Sequence, residues 1–511
     1  MSVISSSTGD PTSSTAIIDG LTEQAARLDV FVREASADGA SLDGVERHAF
    51  DHVLRMGRTT IDLFLSLQGT GDLGPSVVTE AGETLYRSDE PVRRELRTVF
   101  GLHEFDGFVY APGPHLKNTL RPLEVRMSLP VGINSYLFEE FSQFFCVEQA
   151  FGLSRLALQT TLRQDVCVDQ LQDINHRLGI QADEYLEELP LPAASDEGEL
   201  LVLTGDGKGV PLVRADAAKI PVTGESPERP GNRRMAILAG VYSVDRYHRT
   251  AEDVLAGLFR DADRPSLSTR PKPCFKEVRA CFTQWEDDGD GTQVEVNGQV
   301  AAFTWAAGRV ESRLRPGQAL IRLLDGQVSL REISEVCLPD EVHAVDILDI
   351  IHVAGYVQRA AKVFYLSAEQ REAFSRQTLG KLLAGDVEGV IHSLQVRGGL
   401  KKLKGNSAKE IATVCGYFER NKDRMRYRKY LSHGYPIGTG VIEGACRHLV
   451  KDRMERTGMR WRLSSAAAML NVRAVFQSSH WETFHQTRIA KEQSQLHPHR
   501  SLLNNYHPLT A

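Results

Sequence analysis

Three carboxylates sit where their spacing and surroundings could do chemistry. Two repeat one device: Leu200–Thr204 is an apolar run followed by Gly205 Asp206 Gly207 Lys208 Gly209, and Ala319–Leu324 is an apolar run followed by Asp325 Gly326. Such runs predict buried strands and Asp-Gly predicts a turn. Each Asp is therefore expected at the C-terminal end of a strand, where α/β sheets open their ligand crevices. Asp-Gly alone is ordinary turn chemistry, so only the pair points to a site. The third, Glu443, follows the Gly-rich entry Pro436–Ile442 and lies in the first turn of a predicted helix running through Arg447, His448 and Lys451 to Met454. An acid there also complements the helix dipole.

Hard oxygen donors from three separate elements suit Mg²⁺ or Mn²⁺. Two such ions about 3.5–4 Å apart stabilise both the attacking and the leaving oxygen of an in-line phosphoryl displacement. The expected metal ligands are thus Asp206, Asp325 and Glu443, serving phosphodiester chemistry with no protein nucleophile. Asp349 and His352 form a D-x-x-H pair one helical turn apart. They could orient each other, touch the scissile phosphate or cap the helix; catalytic support is the reading preferred. Gly205–Gly209 lacks the spacing of a nucleotide-binding phosphate loop, which excludes an NTPase on this motif.

The net charge of −7 hides an uneven distribution. Lys401–Arg462 holds 16 Lys or Arg against 6 Asp or Glu, giving +10 there and −17 elsewhere. A cationic segment in an acidic chain is the footprint of a polyanion site. Arg424, Arg426, Arg428, Lys429, Arg447, Lys451 and Arg453 are the expected DNA-contacting residues, with Tyr427, Tyr430 and Trp461 available to stack on frayed bases.

The elements that must position these groups are of mixed type. Strands are expected at 200–204, 235–244, 319–324 and 342–348, alternating with helices at 301–314, after Asp325 to Cys337, and at 352–365, which describes an α/β sheet with some antiparallel members. Upstream, helical periodicity covers 17–31 and 45–67, a β-hairpin is signalled over 96–114, and short helices follow over 149–153, 156–162 and 168–177. These last are either a helix-turn-helix over 139–178, presenting Gln159, Thr160, Arg163, Gln170 and Gln172 to a groove, or a plain helical bundle. The division expected is a disordered start at 1–15, a mostly helical N-terminal DNA-binding region at 16–195, a catalytic α/β domain at 196–262 and 316–475, an insertion at 263–315 and a tail at 476–511.

With 511 residues, 41% hydrophobic and 25% charged, the chain has the composition of a globular protein of two to four domains. No apolar run reaches the length of a membrane span, and the polar N-terminus is unlike a secretory leader, so a cytoplasmic location is expected. Seven scattered cysteines form no C-x-x-C, so neither a disulfide framework nor a structural zinc site is expected.

In this order, GDGKG, LLDGQ, ILDIIHV, a Met-Arg-Tyr basic stretch and PIGTGVIEG, the chain resembles bacterial insertion-sequence transposases of the ISKra type, relatives of the Mutator-like transposases. The resemblance spans about residues 195–475. It implies an RNase-H-like catalytic domain with an Asp-Asp-Glu trio matched by Asp206, Asp325 and Glu443, and a C/D-x-x-H element matched by Asp349 and His352. Thr439 stands where Ser is common, and the paired cysteines frequent upstream in relatives are missing. The implied activity is cleavage at the terminal inverted repeats of a mobile element and transfer of the 3′-hydroxyl to target DNA, with a homo-oligomer on DNA as the working form. A nuclease or resolvase without strand transfer, and a domesticated DNA-binding protein, are the alternatives.

Overall fold

The computed structural model describes residues 11–507 except 115, 221–230, 262–269, 288–289, 291 and 457. The chain divides into two compact units, one of Met1–Asn175 with Trp481–Ala511 and one of His176–His480.

The first unit opens on a hairpin of two long helices, Pro11–Ala37 and Leu42–Ser66, the second capped by Ser41, whose hydroxyl accepts from the Gly44 amide. Helix thus begins at Pro11, inside the segment expected to be disordered; residues 1–10 lie outside the described residues. The unit is less purely helical than its sequence suggests. Val92–Thr98 and Gly101–Gly107 form an antiparallel hairpin, and Ser76–Val78, Thr84–Arg87 and Tyr110–Ala111 a small sheet. The helices Tyr136–Glu148 and Phe151–Leu162 follow, and the helix Val168–Glu187 starts in this unit and ends in the second, which begins at His176. The short helices expected at 149–153 and 156–162 are one helix, Phe151–Leu162, with Ala150 as its N-cap and Gly152 inside it. Gln159, Thr160, Arg163 and Gln172 are exposed, and Gln170 is half-buried. The expected C-terminal tail is an integral part of this unit. Its helix Trp481–Leu496 buries Arg488 against Glu139 at 3.1 Å, both almost inaccessible.

The second unit is built on a five-stranded sheet. Its strands are β1 (Leu200–Pro211), β2 (Arg233–Val244), β3 (Cys274–Cys281), β4 (Ala319–Leu324) and β5 (Ala344–Leu348), in the order β5-β4-β1-β2-β3. β1, β4 and β5 run parallel, β2 is antiparallel to β1, and β3, antiparallel to β2, runs in the same direction as β1. Because both faces are covered, the strands read as nearly continuous apolar runs instead of alternating ones. Leu200, Val202, Ile321, Leu323 and Ile347 join one buried cluster with α2 (Ile350–Phe364) and α3 (Gly405–Asn421). Helix α1 (Gly298–Arg313) packs on β1, β2 and β3, with Phe303 against Gly205. An ion pair between Arg322 and Asp346, partners in the β4–β5 register, fixes that pairing.

Two expectations change here. Segment 263–315, read as an insertion, supplies the sheet's edge strand β3 and its covering helix α1; the Pro-rich and Asp/Gly-rich flanks masked the short strand between them. And β1 does not turn at Asp206. It continues to Pro211 with Asp206 opposite Leu238 on β2, the three glycines lying within extended backbone.

Candidate active site

Strand register assembles the acids. Gly205 on β1 pairs with Leu324 on β4, which pairs with Leu348 on β5. The next residue of each strand is Asp206, Asp325 and Asp349, so three aspartates form one row across adjacent parallel strands. The Asp349 amide donates to the Leu324 carbonyl at 3.0 Å, keeping the row in line. Gly326 is required beside it, since a Cβ there would come within 2.2 Å of the Tyr417 ring, which is itself stacked on Tyr356 at 3.7 Å.

The three aspartates are not equivalent. Asp349 Oδ1 accepts from the amides of Ile351 at 3.1 Å and Thr439 at 3.0 Å, and its Oδ2 from the His352 amide at 3.1 Å and the His352 Nδ1–H at 2.7 Å. A carboxylate has about four acceptor positions, and Asp349 has used them all. It is fully buried, N-caps α2 and ties the loop before Glu443 to the end of β5. Burial pushes its carboxyl up, but the bonds from His352, Thr439 and Ile351 outweigh that and hold it below the usual range. His352, half exposed, is raised to about 9, first by its bond to Asp349 and further by the charges of Asp325 and Asp206. It is an imidazolium paired to a saturated carboxylate.

Asp206, Asp325 and Glu443 keep open oxygens. Asp206 Oδ1 accepts from the Gly207 amide at 2.7 Å, and its Oδ2 from the Cys446 thiol at 3.4 Å. Asp325 accepts from the Gln327 amide at 2.9 Å. Glu443, in α4 (Gly440–Ala445), has a long contact of 3.4 Å from the Thr439 hydroxyl. Burial raises the carboxyls of Asp325 and Glu443, and the charge of Asp206 raises both further. Crowded, half-buried acids with unused lone pairs make a pocket of negative charge suited to a hard cation. Asp349, His352 and Glu443 also offer ligand atoms within 4.8 Å of one another. Asp349 already spends its acceptor positions on the four bonds above, whereas Glu443 keeps its own open. Carboxylate oxygens of this kind suit Mg²⁺ or Mn²⁺.

After α4 the helix loosens into a π-helical turn, Cys446–Lys451, before Asp452–Met454. Such turns re-aim side chains at functional sites. This one directs Cys446 at Asp206.

The basic segment splits into two groups. Arg426, Arg428, Lys429, Arg447 and Lys451 are exposed. Arg424 and Arg453, expected on DNA, are buried, at 1% and 0% exposure. Arg424 donates to the carbonyls of Asp325 at 3.1 Å, Leu324 at 3.2 Å and Ile347 at 3.5 Å. Arg453 lies over the Trp461 ring. The aromatics expected to stack on bases are likewise inside. Tyr427 donates to the Leu348 carbonyl and Tyr430 to the Asp346 carbonyl, both at 2.9 Å, and Trp461 donates to the Met454 carbonyl. Arg424, Tyr427 and Tyr430, spaced by three, thus brace the ends of β4 and β5 from behind the acid row. That i, i+3, i+6 spacing beside Met425 and Leu431 was the available signal for a buried face. Cys446, the residue touching Asp206, had no sequence signal.

No family model matches the sequence, and no curated protein matches it. Among solved structures, the chain has weak structural similarity to the Drosophila P element transposase strand transfer complex, with a TM-score of 0.24 and 10% identity over 72% of this chain and 83% of that one. No helix among the described residues is long and apolar enough to cross a membrane.

Proposed function

We propose that the protein is a metal-dependent DNA transposase whose second unit is an RNase-H-like catalytic domain. The single observation that carries this reading is the register that sets Asp206, within β1, beside Asp325, just past the end of β4, while Glu443 enters from helix α4 near both. The strand order β5-β4-β1-β2-β3, with β2 alone reversed, supports it.

In this reading Asp206, Asp325 and Glu443 hold two Mg²⁺ or Mn²⁺ ions. When bound, the ions activate the attacking oxygen and stabilise the leaving one. Asp349 holds α2 and the entry to α4 in place, and the His352 imidazolium, facing the row, can donate to a non-bridging phosphate oxygen. Arg426, Arg428, Lys429, Arg447 and Lys451 neutralise flanking phosphates. The three helices over 136–187 read the element's ends, and the working form is a homo-oligomer on the ends and target DNA.

The test is cleavage and joining by Asp206→Ala, Asp325→Ala and Glu443→Gln on DNA carrying the sequences that flank the gene. Loss in all three is expected, and substantial activity in all three would sink the assignment. A pre-cleaved end separates transfer from hydrolysis, because a nuclease or resolvase would leave its 3′-hydroxyl unjoined. Specific DNA binding without any metal-dependent cleavage would leave a domesticated binder.

A further inference from the structure

We propose that Lys208 is a further catalytic residue of the acid row, its ammonium group donating to a non-bridging oxygen of the scissile phosphate, an inference that rests on the DNA-processing reading above.

Its position follows from the strand. β1 runs on past Asp206 in unbroken register, with Asp206 opposite Leu238 and Lys208 opposite Ala236. Alternate residues of a strand share a face, so Lys208 projects on the side of Asp206, roughly 6.8 Å further along. A turn at Asp206 would have carried it away. The flexible four-carbon stem of a lysine can reach back over that spacing. The strand is also held where Lys208 leaves it. Arg233 donates to the Gly209 carbonyl at 3.1 Å and pairs with Glu455 at 2.9 Å, and the Trp461 amide donates to the Pro211 carbonyl at 3.0 Å.

Its charge is unspent. Lys208 is half-buried, and its side chain has no hydrogen bond or ion pair among the described residues. Asp206, its neighbour on the same face, takes its bonds from the Gly207 amide and the Cys446 thiol instead. The Lys208 charge nevertheless reaches this point, because it opposes the burial and the Asp206 charge that push the Cys446 thiol up. An ammonium at the row with its donors open is placed for an anion that the metal ions bring in.

The row itself adds a further argument. Across β5, β4 and β1 it runs Asp349, Asp325, Asp206. The His352 imidazolium is bonded to Asp349 at one end, and Lys208 stands beside Asp206 at the other. A phosphate lying along the row meets a cation from each side, and fixed donors face the charge on its non-bridging oxygens during displacement. Lys208 keeps its proton throughout, since the bonds made and broken join phosphorus to the attacking and leaving oxygens.

The test uses a duplex carrying the sequences that flank the gene, first cut by the wild type with Mn²⁺ to locate the scissile phosphate. A second duplex carries a neutral methylphosphonate at that position, and binding of both is measured by fluorescence anisotropy in Ca²⁺. Removing the phosphate charge should weaken wild-type binding. In Lys208→Gln that penalty should shrink about tenfold, the worth of one hydrogen bond to a charged group. Lys208→Arg keeps the cation and should keep most of the penalty. Single-turnover cleavage by Lys208→Gln should fall about a hundredfold with Tm unchanged. A penalty in Lys208→Gln equal to that of the wild type, whatever its cleavage rate, overturns the assignment while leaving the DNA reading intact. Failure of the wild type to cut the duplex overturns the DNA reading and the assignment with it.

Discussion

The backbone amide of Thr439 donates to Asp349 Oδ1 at 3.0 Å, tying the entry of the Glu443 helix to the end of β5. One side chain so caps α2 and places a residue from the far end of the domain. Asp349→Ala should lose an N-cap worth about 0.5–2 kcal/mol and free the 439 loop. Asp349→Asn keeps the shape but turns one acceptor into a donor, so it should fall between the two. Thermal unfolding measures the loss, and Mn²⁺ affinity by calorimetry should drop with it. If Asp349→Ala abolished Mn²⁺ binding with no loss of stability, Asp349 would be a ligand and not a cap.

The carboxylates proposed to bind metal should behave in the opposite way. Asp325 and Glu443 are raised above their ordinary values, chiefly by burial. A raised folded-state pKa contributes stability that is fully present below about pH 4 and lost as pH rises through the folded value. A divalent cation offsets the repulsion that grows among these acids as they ionise. Mn²⁺ should raise Tm at pH 7.5 and have little effect near pH 4. Asp325→Asn with Glu443→Gln should raise Tm without metal and remove the response to it. Asp349, held low, contributes with the reverse sign, through stability that fades as pH falls. A metal response undiminished in the double variant would move the site elsewhere.

Much of this arrangement was legible because it is local. Apolar runs ending in Asp gave the ends of β4 and β5, and the Gly-rich entry gave the start of the Glu443 helix. Asp206 was found for a partly mistaken reason. Its glycines suggested a turn, whereas they permit close approach of neighbours such as Phe303 on Gly205 in a continuing strand. Other features depend on long-range pairing that no window of sequence contains. Strand β3 is flanked by turn-rich residues and becomes a strand through its register with β2. Arg424 and Arg453 carry the same charge as their exposed neighbours, and only the carbonyls and the Trp461 ring that meet them distinguish the buried pair.

Arg424 offers a separate check on how the row is held. Its guanidinium bridges the carbonyls of Leu324, Asp325 and Ile347, joining the ends of β4 and β5. Arg424→Ala removes the guanidinium donors to the Asp325 and Ile347 carbonyls, at about 1–3 kcal/mol each, while Leu324 keeps the Asp349 amide, so a stability loss of at least about 2 kcal/mol is expected in urea unfolding. Arg424→Lys keeps the charge but cannot span several carbonyls. It should recover part of the stability while Mn²⁺ affinity stays reduced. Full recovery of both would reduce Arg424 to a buried charge with no positioning role.

The split of the basic segment predicts how DNA affinity responds to salt. Arg426, Arg428 and Lys429 are exposed on one short stretch, with only a loose contact of 3.7 Å between Arg426 and Asp423. Each phosphate contact contributes about 0.9 to the slope of log K against log salt. Replacing all three with Ala should flatten that slope by two to three, change stability by no more than about 0.5 kcal/mol per substitution, and weaken binding to all sequences alike. Arg453→Ala should do the reverse, lowering Tm through the buried Trp461 contact while leaving the slope of the remaining folded protein unchanged. Measured by anisotropy between 50 and 200 mM salt, an unchanged slope in the triple variant would place the DNA path on the Arg447 and Lys451 side of the site instead.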